Sequence, residues 1–230
     1  MNLYKIKQLL DEKEKAVFNL NEIARIIGKP KNITSVYLNR MCNKNLLFKI
    51  EKNKFSKTKD VFIIASQIIS PSYLGLTSSL YLQNEFSQII NKVYVLTSKQ
   101  KKKLNILDME IIFIKIKPSL VFGYKKVKKE NSYIFISDIE KTLIDSILYH
   151  IRITNILEII KKTDIEKLLN YTKKINKEIL TRKIGFLLDL AEIKNNLSRK
   201  TKTIYKFNPR IKQKGKFNNK WFLYVNEVPE

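Results

Sequence analysis

Four charged residues lie close together in residues 135–150, FISDIEKTLIDSILYH: Asp138, Glu140, Lys141 and Asp145. Carboxylates and a lysine at such short spacing are what a metal-dependent nuclease uses to hold its metal ions and to stabilise charge. Acidic residues are equally typical of the first turn of a helix, where they face the positive end of the helix dipole. The residue types alone leave two interpretations open, an active site and a helix start.

The spacing of the apolar residues in this segment favours the helix. At about 100° per residue, one half of the helical wheel carries only apolar residues and Glu140; the apolar ones are Ile139, Leu143, Ile144, Ile147, Leu148 and Ile151. Asp138, Lys141 and Asp145 fall on the other half, so Lys141 and Asp145 are predicted to form an exposed i, i+4 pair. Ser137 and Glu140 match S-x-x-E, the pattern of a capping box.

Glu140 is the one charged residue that this helix would place in its apolar half. A partly buried carboxylate is costly unless a cation pairs with it. Arg182 begins a second apolar stretch, RKIGFLLDLAEI. We therefore expect Arg182 to be the partner of Glu140, which would make Glu140 a structural residue.

Other catalytic or metal-binding patterns are missing from the sequence. The single cysteine, Cys42, excludes an internal disulfide and any cysteine-based zinc site, and the single histidine, His150, has no second histidine with which to share a metal. At the end of a helix His150 is expected to interact with the helix dipole. There is no phosphate-binding or dinucleotide-binding glycine motif and no nucleophile elbow. We expect no catalytic residue, cofactor or metal, and no enzymatic activity.

The charge of the chain indicates the class of partner. Its 230 residues carry a formal net charge of +24, and the pI is about 9.9. Such a field attracts polyanions, so nucleic acid is the first candidate and an acidic protein the second. The excess of lysine, isoleucine and asparagine also fits an AT-rich coding bias, which raises the charge without function. No apolar run is long enough to span a membrane, and the first residues resemble no signal peptide, so we expect a cytoplasmic protein.

Positive charge is densest at the two ends of the chain. Residues 1–60 carry 14 basic and six acidic side chains, and residues 194–230 carry ten and two. A third basic stretch, KQKKK at residues 99–103, is either a solvated loop or an additional contact for DNA or an acidic partner.

The order of elements in residues 1–58 predicts a winged helix-turn-helix domain. Helical spacing in LYKIKQLLDEKEK and NEIARIIG is followed by a third helix with Thr34, Leu38 and Met41 on one face. Asn19 or Asn21 is expected to cap the second helix, Gly28 to end it, and Asn32 to cap the third. LLFKIEKNKFSK then alternates as a basic hairpin, the wing.

In that fold the third helix enters the major groove and contacts bases, while the wing lies near phosphates. The predicted DNA-binding residues lie off the apolar face of the third helix and on the wing: Lys31, Asn32, Ser35, Asn39, Arg40, Lys49, Lys52 and Lys54. Asparagine and arginine side chains can pair bidentately with adenine and guanine edges. The alternative is a small helical subdomain with solvated lysines, or a module for protein contacts.

Residues 59–230 are predicted to form a larger mixed domain. VFIIASQIISPSYLGLTSSLYLQNE suggests two helices interrupted at Pro71, and KVYVLTSK, MEIIFIKIKP and NSYIFIS suggest strands. Helical patterns then continue to about residue 197, and TIYKFNP and KWFLYVNE return to strand. Because strands and helices are segregated along the chain, we expect an α+β fold.

Several segments occur in an order that closely resembles the AbiEi family of antitoxin-like transcriptional regulators. They are SPSYLGLTSSLYLQN, VYVLTSK, IKPSLVFGYKKV, ISDIEKTLIDSILY, RKIGFLLDLAEI and KWFLYVNE. Together with the winged helix, the resemblance covers nearly the whole chain. It implies that residues 31–40 contact inverted repeats in the protein's own promoter, and that the C-terminal domain neutralises a co-encoded nucleotidyltransferase-type toxin in defence against phage.

Two alternatives remain open at this point. One is a DNA-binding regulator without a toxin, which only the neighbouring gene would distinguish from an antitoxin. The other is a metal-dependent nuclease that uses the acids following Ser137. The resemblance itself supplies no catalytic residues.

Overall fold

The computed structural model describes residues 2–86 and 88–227 and has a mixed α+β fold with several sheets. By their contacts, the residues divide into two compact units. The first comprises Met1–Leu74 and Ile89–Ile136, and the second comprises Gly75–Gln88 and Ser137–Glu230. Each unit is therefore built from two stretches of the chain.

The N-terminal part of the first unit contains helices and a small sheet. Its elements are α1 (Leu3–Asp11), β1 (Val17–Asn19), α2 (Leu20–Ile27), α3 (Lys31–Asn43), β2 (Phe48–Glu51) and β3 (Lys54–Ser56). Strand β3 lies between β1 and β2 and is antiparallel to both. Of the two predicted caps of α2, Asn19 and Asn21, the structure has Asn19, which forms a capping box with Glu22. Gly28 ends the helix with a φ of 64°, as predicted.

The rest of the first unit is dominated by a larger sheet. Its elements are α4 (Val61–Gln67), β4 (Ser72–Leu74), β5 (Lys92–Thr97), β6 (Leu104–Ile106), β7 (Met109–Lys115), β8 (Tyr124–Lys129) and β9 (Ser132–Ser137). Within the described residues these strands form a six-stranded sheet in the order β6-β7-β5-β4-β9-β8. Strand β4, at its centre, follows the cis peptide bond at Pro71 and was not predicted from the sequence.

The small sheet and the large sheet are connected within the first unit. The side chain of Gln67 accepts hydrogen bonds from the backbone of Ala16 and Val17, and donates one to the Tyr133 carbonyl at 2.7 Å. Val17 also shares a hydrophobic cluster with Ile64 and Ile68. The predicted boundary between residues 58 and 59 thus falls inside this compact unit, and independent folding of residues 1–58 stays a prediction.

The second unit is largely helical. Its elements are α5 (Leu76–Leu82), α6 (Ile139–Tyr149), α7 (Ile156–Lys161), α8 (Ile165–Ile175), α9 (Glu178–Leu190), β10 (Tyr205–Lys206), β11 (Lys216–Asn218) and β12 (Leu223–Val225). Helix α6 is central, since it packs against α5, α7, α8 and α9. Strand β12 lies between β10 and β11. Strand β11 was not predicted.

The side chain of Arg182 connects α9 to the segment before β10. It is fully buried and pairs with Glu178 at 2.8 Å. Its guanidinium also donates to the carbonyl of Thr201 at 2.6 Å and to that of Thr203. These contacts engage the guanidinium of Arg182, and the predicted ion pair between Arg182 and Glu140 is wrong.

The partner of Glu140 is instead Lys167 on α8. Its carboxylate lies 3.0 Å from the Lys167 amine and accepts a hydrogen bond from the backbone of Asp164 at 2.9 Å. Glu140 is only 6% exposed, so the structural role expected for it is confirmed although the partner differs. Spacing along one helix reveals which residue needs a partner, whereas the packing of α6 against α8 decides which cation supplies it.

The start of α6 also differs from the predicted capping box. Asp138, not Ser137, is the N-cap, and its carboxylate accepts a hydrogen bond from the backbone of Lys141 at 2.8 Å. The hydroxyl of Ser137 instead lies 2.7 Å from that of Thr142. Asp138 also accepts a hydrogen bond from the Tyr171 hydroxyl and lies 3.0 Å from the Lys167 amine.

Lys141 and Asp145, predicted to be an exposed pair, are both fully buried and are paired with each other. The helical wheel assumed that one side of α6 faces solvent, but the helix is surrounded by its neighbours and every residue from Glu140 to Ile147 is buried. The acids of residues 138–145 thus each have a structural partner. Among the described residues, no group of three histidine, cysteine or carboxylate side chains is placed to hold a metal ion.

His150 ends α6 in the left-handed conformation, with a φ of 54°. Burial, together with the nearby charges of Lys183 and Arg210, lowers the pKa of His150 to about 4. At neutral pH the imidazole is uncharged, so the expected interaction of a positive histidine with the helix dipole is not formed.

No helix in the described part of the chain combines the length and the apolar character needed to cross a bilayer.

Candidate nucleic-acid interface

Helix α3 has one buried face and one exposed face. The side chains of Thr34, Leu38 and Met41 are all fully buried, which confirms the apolar face expected from their spacing. Helix α3 starts two residues earlier than predicted, with Pro30 rather than Asn32 at the N-cap. The backbone N–H of Thr34 and its hydroxyl both donate to the carbonyl of Pro30, each at 2.9 Å.

The exposed face of α3 carries most of the residues predicted to bind DNA. Lys31, Asn32, Asn39 and Arg40 are exposed, and Ser35 is half-buried. Asn39 and Arg40 are adjacent and follow Ser35 by about one turn. The structure therefore brings these polar and cationic groups onto one accessible surface.

Two residues of this face were missed by the sequence argument. Ile33 is 42% exposed and Val36 is 50% exposed, although both are apolar. Val36 lies between Asn32 and Asn39 at helical spacing, in the middle of the exposed face. The sequence already shows that both residues lie outside the buried stripe. Apolar residues outside a core face are candidates for contact with a partner, so this role could have been predicted.

The three lysines of the β2–β3 hairpin that were predicted to bind DNA fall into two groups. Lys49 and Lys52 are exposed. The Lys54 amine is directed inward, where it donates to the carbonyl of Ile68 at 2.6 Å and lies 3.0 Å from the Glu51 carboxylate. Lys49 and Lys52 are thus free of these internal contacts, whereas Lys54 is held by the protein.

The hairpin is fixed to the large sheet of the first unit. Glu51 forms a second ion pair, with Lys101, at 2.7 Å. Ile50 belongs to the cluster that contains Leu104 and Phe113 of the large sheet. Lys101, predicted to lie in a solvated or DNA-contacting loop, therefore has a structural partner, and the hairpin has a defined position before any ligand binds.

The charge of Glu51 is maintained in this arrangement. Burial alone would raise its pKa, but the hydrogen bonds from Lys101 and Lys54 outweigh that effect and lower the pKa below its ordinary value. Glu51 therefore remains ionised and offsets the charge of those two lysines. The positive charge that the hairpin presents to solvent comes from Lys49 and Lys52.

Chemically, this surface combines bidentate hydrogen-bonding groups, apolar side chains and lysines on two adjacent elements of one unit. Such a combination can contact base edges and phosphates of duplex DNA. No family model matches this chain, and a search of curated proteins found no match to it.

Proposed function

We propose that the protein is a DNA-binding transcriptional regulator whose residues 1–58 act as a winged helix-turn-helix. The observation that supports this most is the exposed face of α3, where Asn39 and Arg40 lie opposite a fully buried stripe. The adjacent hairpin presents Lys49 and Lys52. Winged helices bind DNA with one helix in the major groove and a basic hairpin next to it, near the flanking phosphates.

The residues divide into two roles in this proposal. Asn39 and Arg40 contact base edges, because their planar groups form paired hydrogen bonds with adenine and guanine. Lys31, Lys49 and Lys52 contact phosphates, which contributes affinity without sequence preference. Lys54 contributes less, since its amine is engaged by Ile68 and Glu51.

We expect the protein to shift its own upstream DNA in a gel and the shift to weaken steeply with salt. Arg40→Ala should reduce the affinity by about 10- to 100-fold, which corresponds to the roughly 1–3 kcal/mol of a bidentate base contact. Asn39→Ala should have a similar effect, and both variants should keep the wild-type circular dichroism. The measurement is a titration of labelled promoter DNA against a scrambled duplex.

The matched control is Lys125→Ala, which removes an exposed cation from β8, at the edge of the large sheet opposite β6 and β7. Its affinity should stay close to that of the wild type. Equal losses in Lys125→Ala and Arg40→Ala, or binding of the scrambled duplex as tight as that of the promoter, would contradict the proposed interface.

A second prediction concerns Val36, whose exposed methyl groups match the methyl group of thymine in the major groove. If Val36 packs on such a methyl, replacing the contacted thymine by uracil should weaken wild-type binding about fourfold, the effect of burying roughly one methylene. Val36→Ala should be weakened by a similar factor and should not distinguish thymine from uracil. A scan of single uracil substitutions with both proteins tests this, and identical scans would exclude the contact.

The order of segments that resembles AbiEi proteins supports a wider role, in which the chain is a cytoplasmic antitoxin that represses its own operon and neutralises a nucleotidyltransferase-type toxin. We expect a nucleotidyltransferase gene directly downstream, and copurification of its product with this protein. If no such gene is adjacent, the function reduces to a stand-alone regulator. A nuclease is not proposed, because the acids of residues 138–145 are engaged in capping and ion pairs.

A further inference from the structure

We propose that the second unit binds a small carboxylate with a short aliphatic tail in a cavity centred on Lys183. This cavity of about 60 Å³ lies between the end of α6, the segment that follows it, and α9. The site is independent of the proposed DNA interface, because all of its lining residues belong to the second unit.

Lys183 is the first observation. It lies in the middle of α9 and is only 2% exposed, yet its side chain lines the cavity. Within the part of the chain that the structure describes, its amine forms no hydrogen bond or ion pair, and its one contact of note is the ring of Phe207, 5.8 Å from the amine. No fully buried side-chain nitrogen of the described residues lacks a hydrogen-bond partner, so the amine of Lys183 reaches the open space of the cavity. An anion in the cavity would be the partner of this largely desolvated cation.

The charges around Lys183 also favour an anion. Arg152 lines the cavity, and the guanidinium of Arg210 donates to the backbone carbonyl of His150 at 3.2 Å. The one carboxylate in the lining, Glu227, accepts a hydrogen bond from Asn208 at 2.6 Å and lies 3.7 Å from Arg152, so its charge is already offset. Among the described residues that line the cavity, Lys183 and Arg152 are cations and Glu227 is the one anion, while His150 is uncharged at neutral pH.

The residues that line the cavity indicate the uncharged part of the ligand. Apolar atoms make up most of the surface that lines the cavity, and Ile147, Ile153, Ile156 and Phe207 contribute to it. Fully hydrated anions such as inorganic phosphate are poorly suited to such walls, whereas an aliphatic tail gains from burial there. The volume leaves room for roughly five or six non-hydrogen atoms, which is the size of butyrate.

The protonation state of Lys183 gives the site a defined pH dependence. Burial lowers the pKa of Lys183 to about 8, and the charge of Glu227 opposes this shift only in part. His150, Arg152 and Glu227 line the same cavity as Lys183, and Arg210 lies close to His150. The pKa of about 4 keeps His150 uncharged between pH 7 and 9. Above pH 8 the amine loses its proton, so the affinity for a carboxylate should fall about tenfold per pH unit.

The experiment is a calorimetric titration of the full-length protein with sodium butyrate, with butyramide as the uncharged analogue of equal size and with inorganic phosphate as a second anion. We expect saturable binding of butyrate at one site, at least tenfold weaker binding of butyramide, and no binding of phosphate. Lys183→Met, which keeps the length of the side chain without its charge, should abolish butyrate binding. Lys177→Met removes an exposed lysine just before α9 and should leave binding unchanged.

The pH series on the wild-type protein is a second test, which does not depend on the folding of a variant. A decline in butyrate affinity above pH 8 supports the site. The proposal is overturned if butyrate shows no saturable binding, if butyramide binds as well as butyrate, if Lys183→Met retains wild-type affinity, or if the affinity is constant from pH 7 to pH 9.

Discussion

Replacing Asp145 by alanine is expected to lower the free energy of unfolding by roughly 3–5 kcal/mol, the effect of removing one partner from a buried ion pair. Asp145 and Lys141 are each fully buried and pair with each other inside α6. Without the carboxylate, the ammonium group of Lys141 would remain in the core without its closest counter-ion. Stabilities of native domains are of the same order, so this one change could unfold much of the second unit.

The measurement is chemical denaturation followed by the fluorescence of Trp221, the single tryptophan of the chain, which lies in the second unit. Glu85→Ala is the control, because it removes an exposed ion pair with Lys162 and should change the stability by at most about 1 kcal/mol. Lys141→Met combined with Asp145→Leu should recover most of the loss, since apolar side chains of similar size leave no buried charge. If Asp145→Ala costs no more than Glu85→Ala, the buried pair is not a determinant of stability.

The pH dependence of the Asp145→Ala variant gives an independent check. Burial already lowers the pKa of Lys141, and Asp145 opposes that shift. Removing Asp145 therefore moves the folded-state pKa of Lys141 further below its unfolded value. Between these two values the unfolded state binds more protons, so the variant should gain stability as the pH rises from neutral towards 10.

The second large effect is expected at Gly185, in the middle of α9. An added Cβ would lie 2.1 Å from Cη2 of Trp221 and 2.4 Å from Cζ2, far inside the contact distance of carbon atoms. Replacing a helical glycine by alanine ordinarily stabilises a helix by about 1 kcal/mol. Here the clash should outweigh that gain, and we expect Gly185→Ala to destabilise the second unit by roughly 3 kcal/mol, the upper part of the range for overpacked cores.

Trp221 cannot easily move to relieve the clash. It is 1% exposed, and its indole N–H donates to Asp189, one turn after Gly185, at 2.6 Å. The fluorescence of Trp221 should therefore shift to the red in folded Gly185→Ala, and its denaturation midpoint should fall. Combining Gly185→Ala with Trp221→Leu should cost less than the sum of the single changes. A variant as stable as the wild type would show that the indole and α9 are not in the close contact described.

Local features of the N-terminal residues could be predicted because they depend on neighbours in the sequence. The capping of α2 by Asn19 requires only Glu22 three residues later, and the end of α2 requires only a glycine that adopts a positive φ. The stripe of Thr34, Leu38 and Met41 follows from the period of one helix. The exposure of Asn39 and Arg40 then follows from the same period.

What only the tertiary structure decided is which side chains are enclosed from more than one direction. Lys141 and Asp145 lie opposite the apolar half of α6, yet they are buried because other helices cover that side as well. Lys183 of α9 is likewise a buried residue of a charged type, and its side chain lines a cavity. The period of a single helix identifies its most apolar face. Whether the opposite face stays in water depends on how many other elements pack around the helix. That packing is set by contacts between residues far apart in the sequence.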